Sequence, residues 1–187
     1  MTAVQTAPPI ADYIPGTWAI DTTHSEVGFS VRHLMLSKVK GRFGVFSGTF
    51  VTGENPLDSS VEASIDLASI DTGNADRDAH VRSSDFFDVD QHTTLTYKST
   101  GVRVEDDGFV VDGDLTLRGI TKSVPLQLEI HGFQPTTPFG DTRAGFTATA
   151  EIERSDFGIS FGIPLEGGVG LGNKVKITLE VEAVLQS

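Results

Sequence analysis

Two groups of acidic and histidine residues in this chain have spacings that could hold a cation. Asp76 and His80 lie four residues apart, one helical turn, with Asp78 beside them; Asp88, Asp90 and His92 form a second group. Carboxylate and imidazole together suit zinc or manganese. No motif fixes four ligands, and a chain with 26 acidic residues scatters such pairs, so solvent or ion-pair roles are the better expectation. His24 and Ser25, with nearby aspartates, supply the types for a nucleophile and its base. There is no G-x-S-x-G elbow and no cysteine, and a histidine in a turn before a strand more commonly bonds backbone. The glycine-rich residues 167–172 (GGVGLG) run into a strand and not a helix, so they are no phosphate cradle. The residues therefore predict no catalytic set, no metal site and no cofactor.

The elements that would position these residues are organised around residues 71–88, DTGNADRDAHVRSSDFFD. Its neighbours alternate apolar and polar residues; it does not. Gly73 permits a sharp turn. Thr72 or Asn74 can cap a helix whose first turn carries Asp76 and Asp78 and whose end carries Arg77, His80 and Arg82. Phe86 and Phe87 then demand burial. The spacing predicts one short helix, anchored by aromatics, across the open end of a sheet or barrel.

Strand-like alternation surrounds it. It begins near Trp18, resumes at Val27, Phe29 and Val31, and continues through a long segment from about Lys40 to Val51. That segment puts Phe43 and Val45 on one face and Phe46 and Phe50 on the other, with glycines between, which predicts a bent strand. His33 to Val39 breaks the pattern and reads as a helical turn. Further alternating runs centre on Val61–Leu67, Leu95–Val104, Phe109–Leu117, Val124–Ile130, Ala144–Ile152 and Val175–Ala183. Eight to ten strands at hairpin spacing predict a closed or nearly closed antiparallel barrel; a solid sandwich is the competing architecture. Ala63, Gly113, Ala144, Ala148 and Ala150 leave space on otherwise apolar faces. Residues 155–172 are too glycine-rich for a rigid strand and too apolar for a solvated loop, so they are expected to close over a cavity.

The totals narrow the partners. The 187 residues suit one domain, residues 16–187, after an extended tail over residues 1–15 marked by Pro8, Pro9 and Pro15. A formal net charge of −12 disfavours nucleic acid and predicts repulsion from anionic membranes. No apolar run is long enough to span a bilayer, so no stable membrane insertion is expected. The amino terminus has no signal-peptide pattern, so the expectation is a cytoplasmic protein. Apolar faces, spare volume, a helix and a lid fit a carrier of an apolar ligand, with Arg32, Arg77, His80, Arg82 and Arg143 as candidate polar contacts at its mouth.

Five segments carry a resemblance: residues 20–43 (IDTTHSEVGFSVRHLMLSKVKGRF), 71–90, 113–124 (GDLTLRGITKSV), 142–159 (TRAGFTATAEIERSDFGI) and 174–183 (KVKITLEVEA). Together they are similar to the YceI-like family of polyisoprenoid-binding proteins. The resemblance implies an all-β, lipocalin-like eight-stranded antiparallel β-barrel with one or two short helices at its ends. It implies a non-enzyme that binds, stores or transports an isoprenoid lipid, such as a polyprenyl quinone, in an apolar tunnel. Members are often dimeric, so a homodimer is a further expectation. With the better-defined apolar face of each strand turned inward, Phe29, Val31, Phe43, Val45, Leu95, Phe146 and Ile177 form the tunnel wall. Phe86, Phe161 and Ile163 close it, and His80 and Arg143 contact a head group. Two rivals remain: an enzyme using the pocket for a small apolar substrate, with His24 and His80 in acid–base roles, and a stress-linked interaction module with a vestigial cavity.

Overall fold

Alternation becomes strand wherever the pattern is clean. The structure, a computed structural model, describes residues 6–106, 108–162, 164–166 and 168–187. The first part contains β1 (Gly16–Ile20), β2 (Glu26–His33), β3 (Ser37–Phe43), β4 (Phe46–Thr52), β5 (Ser60–Asp66), a short β6 (Ile70–Asp71) and the helix α1 (Ala75–Arg82). The second contains β7 (Thr94–Glu105), β8 (Gly108–Leu117), β9 (Ile120–Ser123), β10 (Leu126–Gln134), β11 (Arg143–Glu153), the two-residue β12 (Pro164–Leu165) and β13 (Gly168–Val169), and β14 (Leu171–Leu185). β1, β4, β5, β7, β8, β10, β11 and β14 pair in that order, and β14 closes the ring on β1. This is the eight-stranded antiparallel barrel. Among the described residues, no helix is long and apolar enough to cross a membrane.

β14 pairs β11 along one edge and serves two partners on the other. Its end, Ala183 to Leu185, pairs β1, while Leu171 to Glu180 pairs β2, which carries β3 and β6 beyond it. At the handover Ser25 substitutes for a strand: its hydroxyl donates to the Glu182 carbonyl at 3.1 Å and accepts from the Glu182 N–H at 3.0 Å. The backbone pairing that would lapse between β1 and β2 is thereby satisfied.

Two expectations change in the β2–β4 region. His33 to Val39 is not helical. A tight turn joins β2 to β3, with the Leu36 N–H bonded to the His33 carbonyl at 3.0 Å and both Leu34 and Met35 at positive φ, 52° and 58°. Short apolar runs do not distinguish helix from hairpin, and here strand pairing on both sides decides. The bend predicted in the long strand falls between β3 and β4, where the Val45 N–H bonds the Ser69 hydroxyl at 3.0 Å. The step resets the alternation, so Phe43 and Phe46 both face inward and Val45 is 58% exposed.

The helix forms as its caps dictate. Asn74 accepts the Arg77 N–H at 2.9 Å. Asp78 is buried and accepts from the N–H and hydroxyl of Thr72 at 2.8 and 2.6 Å, and Arg82 donates to the Ala68 and Ile70 carbonyls at 2.9 and 3.1 Å. These bonds fix α1 across the end of the sheet at β6.

Apolar packing falls into two clusters. Leu67, Ile70 and Phe157 belong to the larger cluster on the helix side; Trp18, Phe133, Ala144, Phe146 and Ala183 form the other. Trp18 is fully buried and donates to the Thr52 hydroxyl at 2.8 Å, which itself donates to the Ile14 carbonyl at 2.8 Å. Ile10, Tyr13 and Ile14 pack on this cluster, and the Tyr13 hydroxyl donates to the Gly53 carbonyl at 2.8 Å. The segment read as an extended tail is therefore docked from Ile10 onward.

Gly113 does not leave free space. A Cβ there would lie 2.4 Å from the Tyr97 ring, so the glycine admits the tyrosine against β8. The Tyr97 hydroxyl reaches the Val111 and Val124 carbonyls at 3.2 and 2.9 Å. Burial, reinforced by Asp112 and Asp114, pushes its ionisation well above the usual tyrosine range. Tyr97→Phe is expected to lower stability by about 1 kcal/mol, read from the urea midpoint at unchanged slope.

Candidate functional site

Residues of both clusters line a cavity of about 1100 Å³ in the barrel. Pockets for drug-sized molecules run roughly 300–1,000 Å³, so this chamber accommodates something larger than a small metabolite. Its wall is mainly aliphatic and aromatic. Phe29 and Val31 come from β2, Phe43 from β3, Leu95 from β7, Phe146 from β11 and Ile177 from β14. Ala63 and Ala148 also line it, and their small side chains leave the volume that bulkier residues would fill. All but one of the predicted wall residues thus meet at one chamber; Val45 points outward for the reason given above.

The helix-side opening is narrowed by an aromatic trio from three elements. His80 on α1, Phe86 after it and Phe161 beyond β11 all line the chamber. The imidazole meets Phe86 and Phe161 edge to face, at centroid distances of 5.1 and 4.8 Å, and the two phenylalanines are 5.2 Å apart. His80 Nε2 lies 2.8 Å from Asp85 Oδ2, so the ring is oriented from outside and packed from inside. Ile163 lies outside the described residues.

Sequence reasoning missed Arg154. This guanidinium lines the chamber, is only 9% exposed, and donates to four backbone carbonyls: Gly172 at 2.8 Å, Ile159 at 3.0 Å, Phe161 at 2.6 Å and Leu171 at 3.3 Å. It ties together residues 159, 161, 171 and 172 of the 155–172 segment that was expected to form a lid. Desolvation lowers its pKa, but a guanidinium stays charged. The available signal was an arginine ending a run of alternating small residues, immediately before Ser-Asp-Phe-Gly.

Arg143 has a different place. It precedes the inward-facing Ala144 on β11, so its side chain lies on the outer face. There it bridges Asp21 at 2.8 Å and Asp141 at 2.8 Å, and also contacts Glu182. It makes no contribution to the chamber wall. Asp21, His24 and Glu182 are the grouping of acidic and histidine ligand atoms, among the described residues, that falls within 4.8 Å. The Arg143 guanidinium already pairs with both of these carboxylates. Asp78, by contrast, is committed to Thr72 and His80 to Asp85, so the first acidic–histidine group does not converge. Nor do His24 and Ser25 form a nucleophile and base: one bonds Asp21 and the other the Glu182 backbone.

The outer cluster predicts acid sensitivity. Hydrogen bonding from His24, then from Arg143, holds the Asp21 carboxyl far below the usual range. A carboxylate with a depressed native pKa contributes fully above its unfolded value of about 4, and that contribution is lost as the pH falls below it. Asp21→Asn should lower the urea midpoint at pH ~7 and flatten its decline between pH ~4 and ~3, compared with the parent.

A closed barrel around one large apolar chamber is a lipocalin-like build. The chain belongs to the YceI-like family, whose domain model matches residues 18–183. A UPF0312 protein of Vibrio parahaemolyticus is 39% identical over 178 residues, covering 93% of this chain and 87% of the relative. Among solved structures, a YCEI protein of Campylobacter jejuni superposes with a TM-score of 0.71 at 27% identity, over 95% of this chain and 100% of that one. A polyisoprenoid binding domain from Saccharophagus degradans superposes with a TM-score of 0.67 at 18% identity, over 90% of this chain and 98% of that one.

Proposed function

We propose that this protein binds an isoprenoid-type lipid in its barrel and holds or carries it without altering it. The observation that carries this reading is the chamber itself, about 1100 Å³ with an apolar wall and an aromatic closure. Each ~100 Å² of lipid surface withdrawn from water contributes about 2.5 kcal/mol before binding costs, so a long branched chain needs no strong polar anchor. The likeness to a polyisoprenoid binding domain supports a polyprenyl chain as the class of ligand. The commitments of Ser25, His24 and Asp78 to structural hydrogen bonds favour holding over turnover. A polyprenyl quinone fits as a flexible apolar chain with a compact head. Native mass spectrometry of freshly purified protein, followed by lipid extraction, tests this. A bound polyprenyl species is expected; an unoccupied chamber together with turnover of a small apolar substrate would overturn it.

A further inference from the structure

The β2–β3 hairpin ends in three consecutive large apolar residues, Leu34, Met35 and Leu36, which are 42%, 71% and 84% exposed. Turns normally carry polar residues, and two successive positive-φ positions suit Asn-Gly. Neither solubility nor backbone conformation favours Leu-Met here. The Leu34 N–H is bonded to the Gly170 carbonyl at 2.8 Å, so the tip is held in place.

Around the tip the charge runs against that of the whole chain. Arg32, Lys38 and Lys40 are exposed on the hairpin, and no carboxylate lies within ion-pair distance of them among the described residues. Arg32 faces Lys38 directly across the two strands, an arrangement that costs stability. The chain's net charge is −12, yet these three cations flank a run of three exposed apolar residues. An apolar tip within a cationic collar complements the interface of an anionic bilayer: side chains enter the acyl boundary while cations meet phosphates.

We infer that the β2–β3 tip docks the protein on anionic lipid surfaces. The inference deepens the lipid-binding reading, because His33, Leu34, Ser37 and Lys38 also line the chamber. Docking would set this part of the chamber lining against the bilayer, giving an apolar ligand a passage that avoids open water. The acidic remainder would be repelled from the same surface, which fixes the orientation. On this inference the repulsion expected from the net charge would act on the body and not at the tip.

The test is co-sedimentation with vesicles of phosphatidylcholine alone and of phosphatidylcholine mixed equally with phosphatidylglycerol. The parent should bind the anionic vesicles and release them as salt rises from about 0.05 M to about 0.5 M. Met35→Gly with Leu36→Thr, both compatible with the turn, should abolish binding while a cooperative melt is retained. Lys38→Ala with Lys40→Ala should weaken it roughly 25-fold, about five-fold per cation. Equal binding by the tip variant, or no binding by the parent, overturns the inference. So does a tip variant that converts a dimer to a monomer in size-exclusion chromatography with vesicle binding unchanged, since the tip would then be covered by a second copy. Lipid extraction from the same preparations separates the two readings. A parent that carries lipid but ignores vesicles refutes docking alone, whereas one that binds vesicles but carries no lipid refutes only the carrier.

Discussion

Ala148→Trp is expected to empty the chamber of its lipid and leave the barrel standing. Ala148 is buried on β11, pairs with Leu128 and Leu179 on the flanking strands, and faces the cavity. In a filled core an alanine-to-tryptophan change overpacks and costs about 1–3 kcal/mol or more. Here the indole has a void to enter, so that penalty falls away and the ring covers apolar surface that a ligand would otherwise cover. Lipid extracted per mole of protein should fall at least ten-fold, the ratio that about 1.4 kcal/mol of lost binding produces. The melting temperature of delipidated protein should be unchanged or higher. If Ala148→Trp retains lipid at the parent level, the ligand lies elsewhere and the chamber is not its site.

Arg154→Met carries the second large effect. The methionine matches much of the volume but none of the four carbonyl contacts that Arg154 makes to residues 159, 161, 171 and 172. Unsatisfied buried acceptors cost about 1–3 kcal/mol each, partly recovered when water enters and when the desolvation of a lone guanidinium is relieved. A net loss of about 3 kcal/mol is expected in urea denaturation. Arg154→Lys should lose most of the same amount, since an ammonium cannot span carbonyls that a planar fork reaches. Because Phe161 belongs both to this network and to the aromatic closure, bound lipid should also leave faster in either variant. Stability within about 0.5 kcal/mol of the parent would show that the carbonyls are satisfied without the arginine.

The barrel was legible because period-two alternation survives through β7, β8, β11 and β14, and alternation specifies both strand and face. Helix α1 was legible from Asn74 and the acidic first turn. What failed did so where a local event resets the count. One step between Phe43 and Phe46 inverted the faces and moved Val45 outside. Arg143 was assigned to a mouth from its charge alone, yet its neighbours Ala144 and Phe146 already placed it on the outer face. Its partners Asp21 and Glu182 are too distant in sequence for spacing to reveal them. The Leu34–Leu36 run misled for a different reason. The broken alternation from His33 to Val39 reads as a helical turn, and it marks instead a hairpin tip whose apolar residues are exposed.

The double duty of β14 makes it the spine of the molecule. All eleven residues of β11 lie in register against it, while one end holds β1 and the rest holds β2. Admitting a guest requires some wall to yield, and this wall is braced on both flanks along its length. Yielding therefore belongs beyond β2, where β3 has only two residues paired to β6 and the lone α-helix described is tied down chiefly by side chains. The barrel is a box hinged along one edge, its back rigid and its door made of the least regular pieces of the chain.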